Sequence, residues 1–352
     1  MMTDVEGTRT TSPSFRHYDD RAQVVETLST SARLVSNSEI QTFLRCRRKW
    51  WLGWYLGLRP KLESPTGVRA IGDRVHRALA KWYVTENSER TDSRDALEEE
   101  IITDWHLLID HYGGTDVIPP GVAVDFHKDA DLERAMISGY VQWLEETGAD
   151  ANIRTLDSER YIQVRFPVVN ETLPVYLIGK LDARVQRISD GVKLFMDHKT
   201  VGNFVQKTRM LHMDPQMLHY HLIEFLALED ANDRCDGALY NMLRRVKRTV
   251  KANPPFFQRV EVPHNTYELQ SYTLQLQGII SDILIVEQAL SASMAHPGII
   301  VYPRRADDCS WSCDFINVCP LFDDGSRAGD MVREYFVQGD PLSYYGKGSK
   351  EE

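Results

Sequence analysis

Between residues 68 and 82 the apolar side chains Val68, Ile71, Val75, Leu79 and Trp82 recur at every third or fourth place, along one stripe of a helix. A shorter helix is predicted in "SNSEIQTFLRCRRKWW", capped by Ser36 or Ser38, with Ile40, Phe43 and Leu44 as its apolar face. Two more span roughly 93–112 and 126–147, separated by "GGTDVIPPG". From Glu159 the period changes to two in "RYIQVRFPV", in "VYLIGKLDARVQRI" and, after the turn "SDG", in "VKLFMDHKTV": a meander of three antiparallel strands. "DPQMLHYHLIEFLALED" predicts a helix with Asp214 as cap and Pro215 as its first residue. Strands at about 237–246 and 256–262 and a long helix over 265–293 follow. The order predicts an α/β sandwich with added helices.

The chain divides on this reading into a mobile polar tail (1–35), a helical region (36–155), a strand-rich core (156–264), a long helix with a cysteine segment (265–322) and a C-terminal tail (323–352). No apolar run of about 18 residues and no basic-then-apolar leader is present, so a cytoplasmic protein is expected. A net charge of -10 over 352 residues weighs against broad adhesion to nucleic acid. Two basic runs, "RCRRKW" (45–50) and "RRVKRTVK" (244–251), stand against that total. A solvated face is the ordinary reading of such runs, unless a phosphodiester site lies nearby.

In "LFMDHKT" (194–200) Asp197 and Lys199 share one face of a strand while Met196 and His198 share the other. Asp182, in "GKLDAR", falls beside Asp197 across the turn. Two carboxylates on one face repel unless a cation lies between them, and hard oxygen ligands suit Mg²⁺ or Mn²⁺. Such an ion orients water and neutralises charge growing on phosphorus, and a partly desolvated Lys199 beside it is expected to have a lowered pKa. D-x-K alone is a weak signal, and a lone histidine is usually just exposed or satisfied. Further residues strengthen the pattern: Gln216 and Tyr220 lie one helical turn apart, and His76 follows Gly72 by one turn.

The ordered set Gly72 and His76, Gly179 and Asp182, Asp197 and Lys199, and Gln216 and Tyr220 resembles the RecB-like branch of the PD-(D/E)xK nucleases. That resemblance implies an α/β fold with a restriction-endonuclease-like core, a mixed central sheet flanked by helices, to which a helical region is added. It also implies that His76, Asp182, Asp197 and the backbone carbonyl of His198 bind the metal, that Lys199 serves catalysis, and that Gln216 and Tyr220 position substrate or Lys199.

Cys309, Cys313 and Cys319 form a C-x3-C-x5-C cluster that needs a fourth ligand, for which Cys46 is the candidate. Thiolates select zinc or an iron-sulfur cluster, and spacing does not decide between them. The resemblance does: RecB-like nucleases of the CRISPR-associated adaptation type (Cas four) and the AddB helicase-nucleases place one Cys before the nuclease core and three after it, around a 4Fe-4S cluster. Cys235 reads as a packed core thiol, and Trp50, Trp51, Trp54 and Tyr55 as core beside the cluster rather than a base-stacking platform. The function expected is a metal-dependent DNA exonuclease acting on ends or single strands, with the basic runs lining its groove. Recombination or CRISPR adaptation proteins are its candidate partners. The alternatives are a nuclease that trims DNA for CRISPR spacer acquisition and a non-catalytic, zinc-stapled nucleic-acid-binding protein.

Overall fold

The computed structural model describes residues 32–169, 171–292, 296–307 and 309–346, and these form two compact units. Among the described residues one unit comprises Ser64–Pro167 and Tyr176–Gly278; the other is assembled from residues 32–63, from Val168–Val175 and from residues 279–346. The linear division into regions therefore differs from the folded one. The predicted tail over 1–35 lies outside the described residues as far as position 31, and Arg33–Ser36 is a strand. Of the predicted C-terminal tail, 347–352 lie outside them, whereas Ala328–Tyr335 is a helix that buries Ala328 and Val332. Among the described residues no helix is long and apolar enough to cross a membrane.

The first unit contains helices α1 (Val68–Trp82), α2 (Ser93–Tyr112) and α3 (Pro120–Thr147), then strands β1 (Ile153–Arg165), β2 (Val175–Arg187) and β3 (Lys193–Val201). Helices α4 (Phe204–Thr208) and α5 (Pro215–Ala227) lead to β4 (Gly237–Arg244) and β5 (Phe257–Pro263). In the order β1-β2-β3-β4-β5 every neighbouring pair is antiparallel except β3 and β4. That parallel pair requires a crossover, supplied by α4 and α5. β4 is buried along all but its last residue, as befits a central strand covered on both faces.

Helix α3 begins at Pro120, earlier than the expected 126, because a proline at the first helical position has no N–H to leave unpaired. α5 starts as predicted: Asp214 accepts from the Gln216 amide at 3.0 Å and Pro215 follows it. One glycine permits a close approach: a Cβ on Gly179 of β2 would lie 2.6 Å from Ile223 and 3.2 Å from the Tyr220 ring on α5, whereas one on Gly72 of α1 would make ordinary contact with Thr200 at 3.4 Å. α1 is tied to α3 by a fully buried pair, Arg74 with Glu133 at 2.7 Å, and Arg74 also reaches Asp104 of α2 at 3.0 Å.

In the second unit a core of Phe43, Trp50, Trp51, Leu52, Val318 and Phe322 takes up the tryptophans, as expected. In the "RCRRKW" run Arg48 departs from the expected role in a nucleic-acid groove, whereas Arg45 is exposed. Arg48 is buried, donating to the Val301 carbonyl at 2.9 Å and pairing with Asp323 at 3.0 Å; a guanidinium taken out of water needs such partners to keep its charge.

Candidate active site

β2 and β3 are paired only as far as Ala183 opposite Met196. Beyond that point β2 runs on with β1 and β3 with β4, so a fork opens where Asp182 and Asp197 stand. The His198 amide, freed from a ladder partner at the fork, donates to Asp182 Oδ2 at 2.9 Å. The same oxygen faces His76 Nδ1 of α1 at 3.2 Å. On the other side Lys199 Nζ lies 2.7 Å from Asp197 Oδ2 and donates to Gln216 Oε1 at 2.8 Å. Gln216 Nε2 donates to the Tyr220 hydroxyl at 2.9 Å, which donates to the Lys180 carbonyl at 2.8 Å. A helix, two strands and a second helix thus contribute two hydrogen-bonded groups, His76 with Asp182 and the His198 amide, and Asp197 with Lys199, Gln216 and Tyr220, which meet along residues 197–199 of β3.

The electrostatics separate the two carboxylates. Burial alone would raise both. For Asp182 the His76 charge and hydrogen bond, with His198 and Lys199, outweigh it and hold the acid well below the usual range. For Asp197 burial wins over Lys199, and the neighbouring Asp182 adds to it, pushing the acid up to about 6. Burial opposes the charge on Lys199, but Asp197, Asp214 and Asp182 outweigh it, so its pKa is raised, opposite to the lowering expected from sequence. Asp197 Oδ1 is buried without a hydrogen-bond partner. Such an orphaned anionic oxygen beside a second carboxylate and an imidazole is a donor set suited to a divalent cation. Among the described residues no three His, Cys, Asp or Glu side chains stand in an arrangement that itself holds a metal ion.

Sequence reasoning missed the residues behind His198. Its ring accepts at Nδ1 from Asn241 Nδ2 at 3.0 Å, and Asn241 Oδ1 accepts from the Tyr140 hydroxyl at 3.0 Å and Arg259 Nε at 3.3 Å. Arg259 also donates to Tyr83 at 2.8 Å and pairs with Asp150. The available signal was Asn241 itself, a polar residue in an apolar strand that must be satisfied when buried.

Cys46, Cys309, Cys313 and Cys319 line one cavity of about 460 Å³ in the second unit, together with Arg48, Lys49, Arg304 and Arg305. The Arg304 amide points to Cys46 Sγ at 3.4 Å and the Lys49 amide at 3.5 Å. Burial, with the neighbouring Cys46 and Cys313, pushes Cys319 up to about 11 against the pull of Arg48. Cys235 lies apart from this group, buried against Glu224, whose carboxylate accepts from its amide at 2.8 Å.

A family model described as the PD-(D/E)XK nuclease superfamily matches residues 34–320. Among solved structures the chain is similar to a protein from Eubacterium rectale named as a candidate exonuclease, at 10% identity and TM-score 0.44, over 89% of this chain and 94% of that one. It is also similar to the protein SSO0001, at 11% identity and TM-score 0.36, over 86% of this chain and 93% of that one. No curated protein matches the sequence.

Proposed function

Because the chain belongs to the PD-(D/E)XK nuclease superfamily, we propose that it is a cytoplasmic, divalent-metal-dependent DNA exonuclease that hydrolyses phosphodiester bonds at ends or in single strands. The observation that carries this reading is the fork between β2 and β3, where one hydrogen-bonded group holds His76 and Asp182 and a second, beside it on β3, holds Asp197, Lys199, Gln216 and Tyr220. His76, Asp182, Asp197 and the His198 carbonyl would hold Mg²⁺ or Mn²⁺. When bound, the ion lowers the pKa of a coordinated water and neutralises charge on the phosphoryl group. Lys199, kept protonated by the acids around it, holds the attacking water or a phosphoryl oxygen by hydrogen bonding. Gln216 and Tyr220 fix the ammonium in place through the Lys180 carbonyl.

The second unit would carry a structural 4Fe-4S cluster on Cys46, Cys309, Cys313 and Cys319. Four thiols around one cavity, with Lys49, Arg304 and Arg305 in its wall to offset thiolate charge, support that reading over scattered core thiols.

Digestion of end-labelled single- and double-stranded DNA in Mn²⁺ tests the nuclease. Asp197→Ala and Lys199→Ala are each expected to slow it at least about a hundredfold. Digestion by either variant as fast as by the parent would end the assignment. Since an imidazole joins the carboxylates, Mn²⁺ should serve at least as well as Mg²⁺, and activity in Mg²⁺ alone would remove His76 from the ligand set. A brown protein containing iron and sulfide supports the cluster; a colourless one containing zinc refutes it.

A further inference from the structure

On a chain with a net charge of -10, one cavity of about 570 Å³ in the site-bearing unit has no carboxylate among its lining residues. Phe204 and Val205 of α4 and Pro255 give it an apolar wall, Gln258 a polar one, and Arg209 and Arg244 its cations. Arg209 is exposed and its side chain has no partner among the described residues. Arg244 gives one donor to the Asn253 carbonyl at 2.9 Å and keeps the rest of its guanidinium free. The walls come from the segments that follow β3 and from the end of β4, hence from the carboxyl ends of the parallel pair, where open α/β sheets bind ligands.

The cavity adjoins the catalytic strand. Arg244 is opposite Val201 in register, and Val201 lies two residues beyond Lys199 on the same face of β3, about 7 Å along the strand. The next residue, Arg245, donates to the Thr200 carbonyl at 3.0 Å and also has no carboxylate partner among the described residues. Burial alone lowers its pKa, whereas every other described arginine with a resolved shift is raised. Cations left uncompensated at one strand end, in an acidic protein, call for an anion from outside.

Building on the nuclease reading, we propose that this cavity seats one unstacked nucleotide of single-stranded DNA beside the scissile phosphodiester, its base against Val205 and Pro255 and its phosphate on Arg209 and Arg244. Guanidinium groups suit phosphate oxygens, and the volume falls within the range of small-molecule sites. A base paired and stacked in a duplex cannot enter such a cavity without first being extruded, so the site selects strands already open.

The test is steady-state cleavage of a fluorescent single-stranded oligonucleotide in Mn²⁺ by the parent, Arg209→Ala, Arg244→Ala and Val205→Trp. Each arginine variant is expected to raise KM about tenfold with kcat within about twofold, a loss of binding shared by ground and transition states. Each should also reduce the slope of log KM against log salt by about 0.7, one phosphate contact on a single strand. Val205→Trp, which fills the cavity without altering charge, should raise KM and leave that slope as it was. Arg209 has no partner to lose, so its replacement leaves the melting temperature in place, and Arg209→Lys should restore part of the lost binding. Unchanged KM and salt slope in Arg209→Ala and Val205→Trp, from a parent that digests DNA, overturn the cavity and spare the nuclease reading. A parent that digests no DNA in any divalent ion removes both.

Discussion

Gly179 shows how one residue can set the site. A glycine inside a strand ordinarily weakens it, and alanine there would ordinarily help. Here the added methyl would meet the buried Ile223 and the Tyr220 ring, which also serves the Gln216 and Lys199 chain. Gly179→Ala is therefore expected to cost about 1–3 kcal/mol in thermal unfolding. Its DNA cleavage should fall further than that loss explains, because Tyr220 must move. A variant as stable and active as the parent would show that Tyr220 has room. The Arg74 and Glu133 pair makes a different point. Replacing Arg74 with methionine strands Glu133 in the core and should cost about 3–5 kcal/mol in urea unfolding, while adding Glu133→Leu should recover most of it. The acids, the lysine and the Q-x-x-x-Y pair were legible from sequence because strand and helix periods place side chains on faces. Arg48 and Asn241 were not, because neither period nor charge tells which polar residue finds its partner inside.

At the level of elements, α5 joins the active site to the core through two histidines. His219 Nε2 lies 3.0 Å from the Ile178 carbonyl of β2, and His221 packs its ring against Phe195 of β3 at 4.7 Å. Burial lowers His219 from 6.5 to about 4, and burial together with His264 lowers His221 to about 3. The folded chain refuses protons that the unfolded chain takes up below pH 6.5. Stability is thus fully present above 6.5 and lost as pH falls toward 4, by about 3 kcal/mol for His219 alone. His219→Gln keeps a donor for Ile178 and removes the titration. Its melting temperature should fall less steeply than the parent's between pH 6.5 and 4, and parallel curves would place the acid sensitivity elsewhere. The strands and α5 were legible because turn and cap residues punctuate them. The early start of α3 was not, because "PP" reads as a break when it stands at a helix's first residue.

In the molecule as a whole, the cysteine-bearing unit is built from a segment ending at Glu63, from Val168–Val175 and from a segment beginning at Ile279. Periodicity reports what a segment does locally, so it revealed the helices of that unit but not that distant segments share a core. The cysteines alone hinted at it, one early and three late. Cys46 and Cys309 are 263 residues apart (309 minus 46), and both line one cavity. A cluster bridging them would remove loop-closure entropy from the unfolded chain, worth about 5.6 kcal/mol by the logarithmic law if both units unfold in one step. If the units unfold separately, the folded site-bearing unit already restrains the intervening chain, and the cluster contributes less to the other unit's transition. Calorimetry of the intact protein and of Cys313→Ala, each assayed for iron, separates the cases. Loss of the cluster is expected to lower the first transition by several degrees, with the second one unmoved where unfolding is stepwise. An iron-free variant that melts with the parent would mean that the apolar packing of Trp50, Val318 and Phe322 holds the joined segments without help from the cysteines.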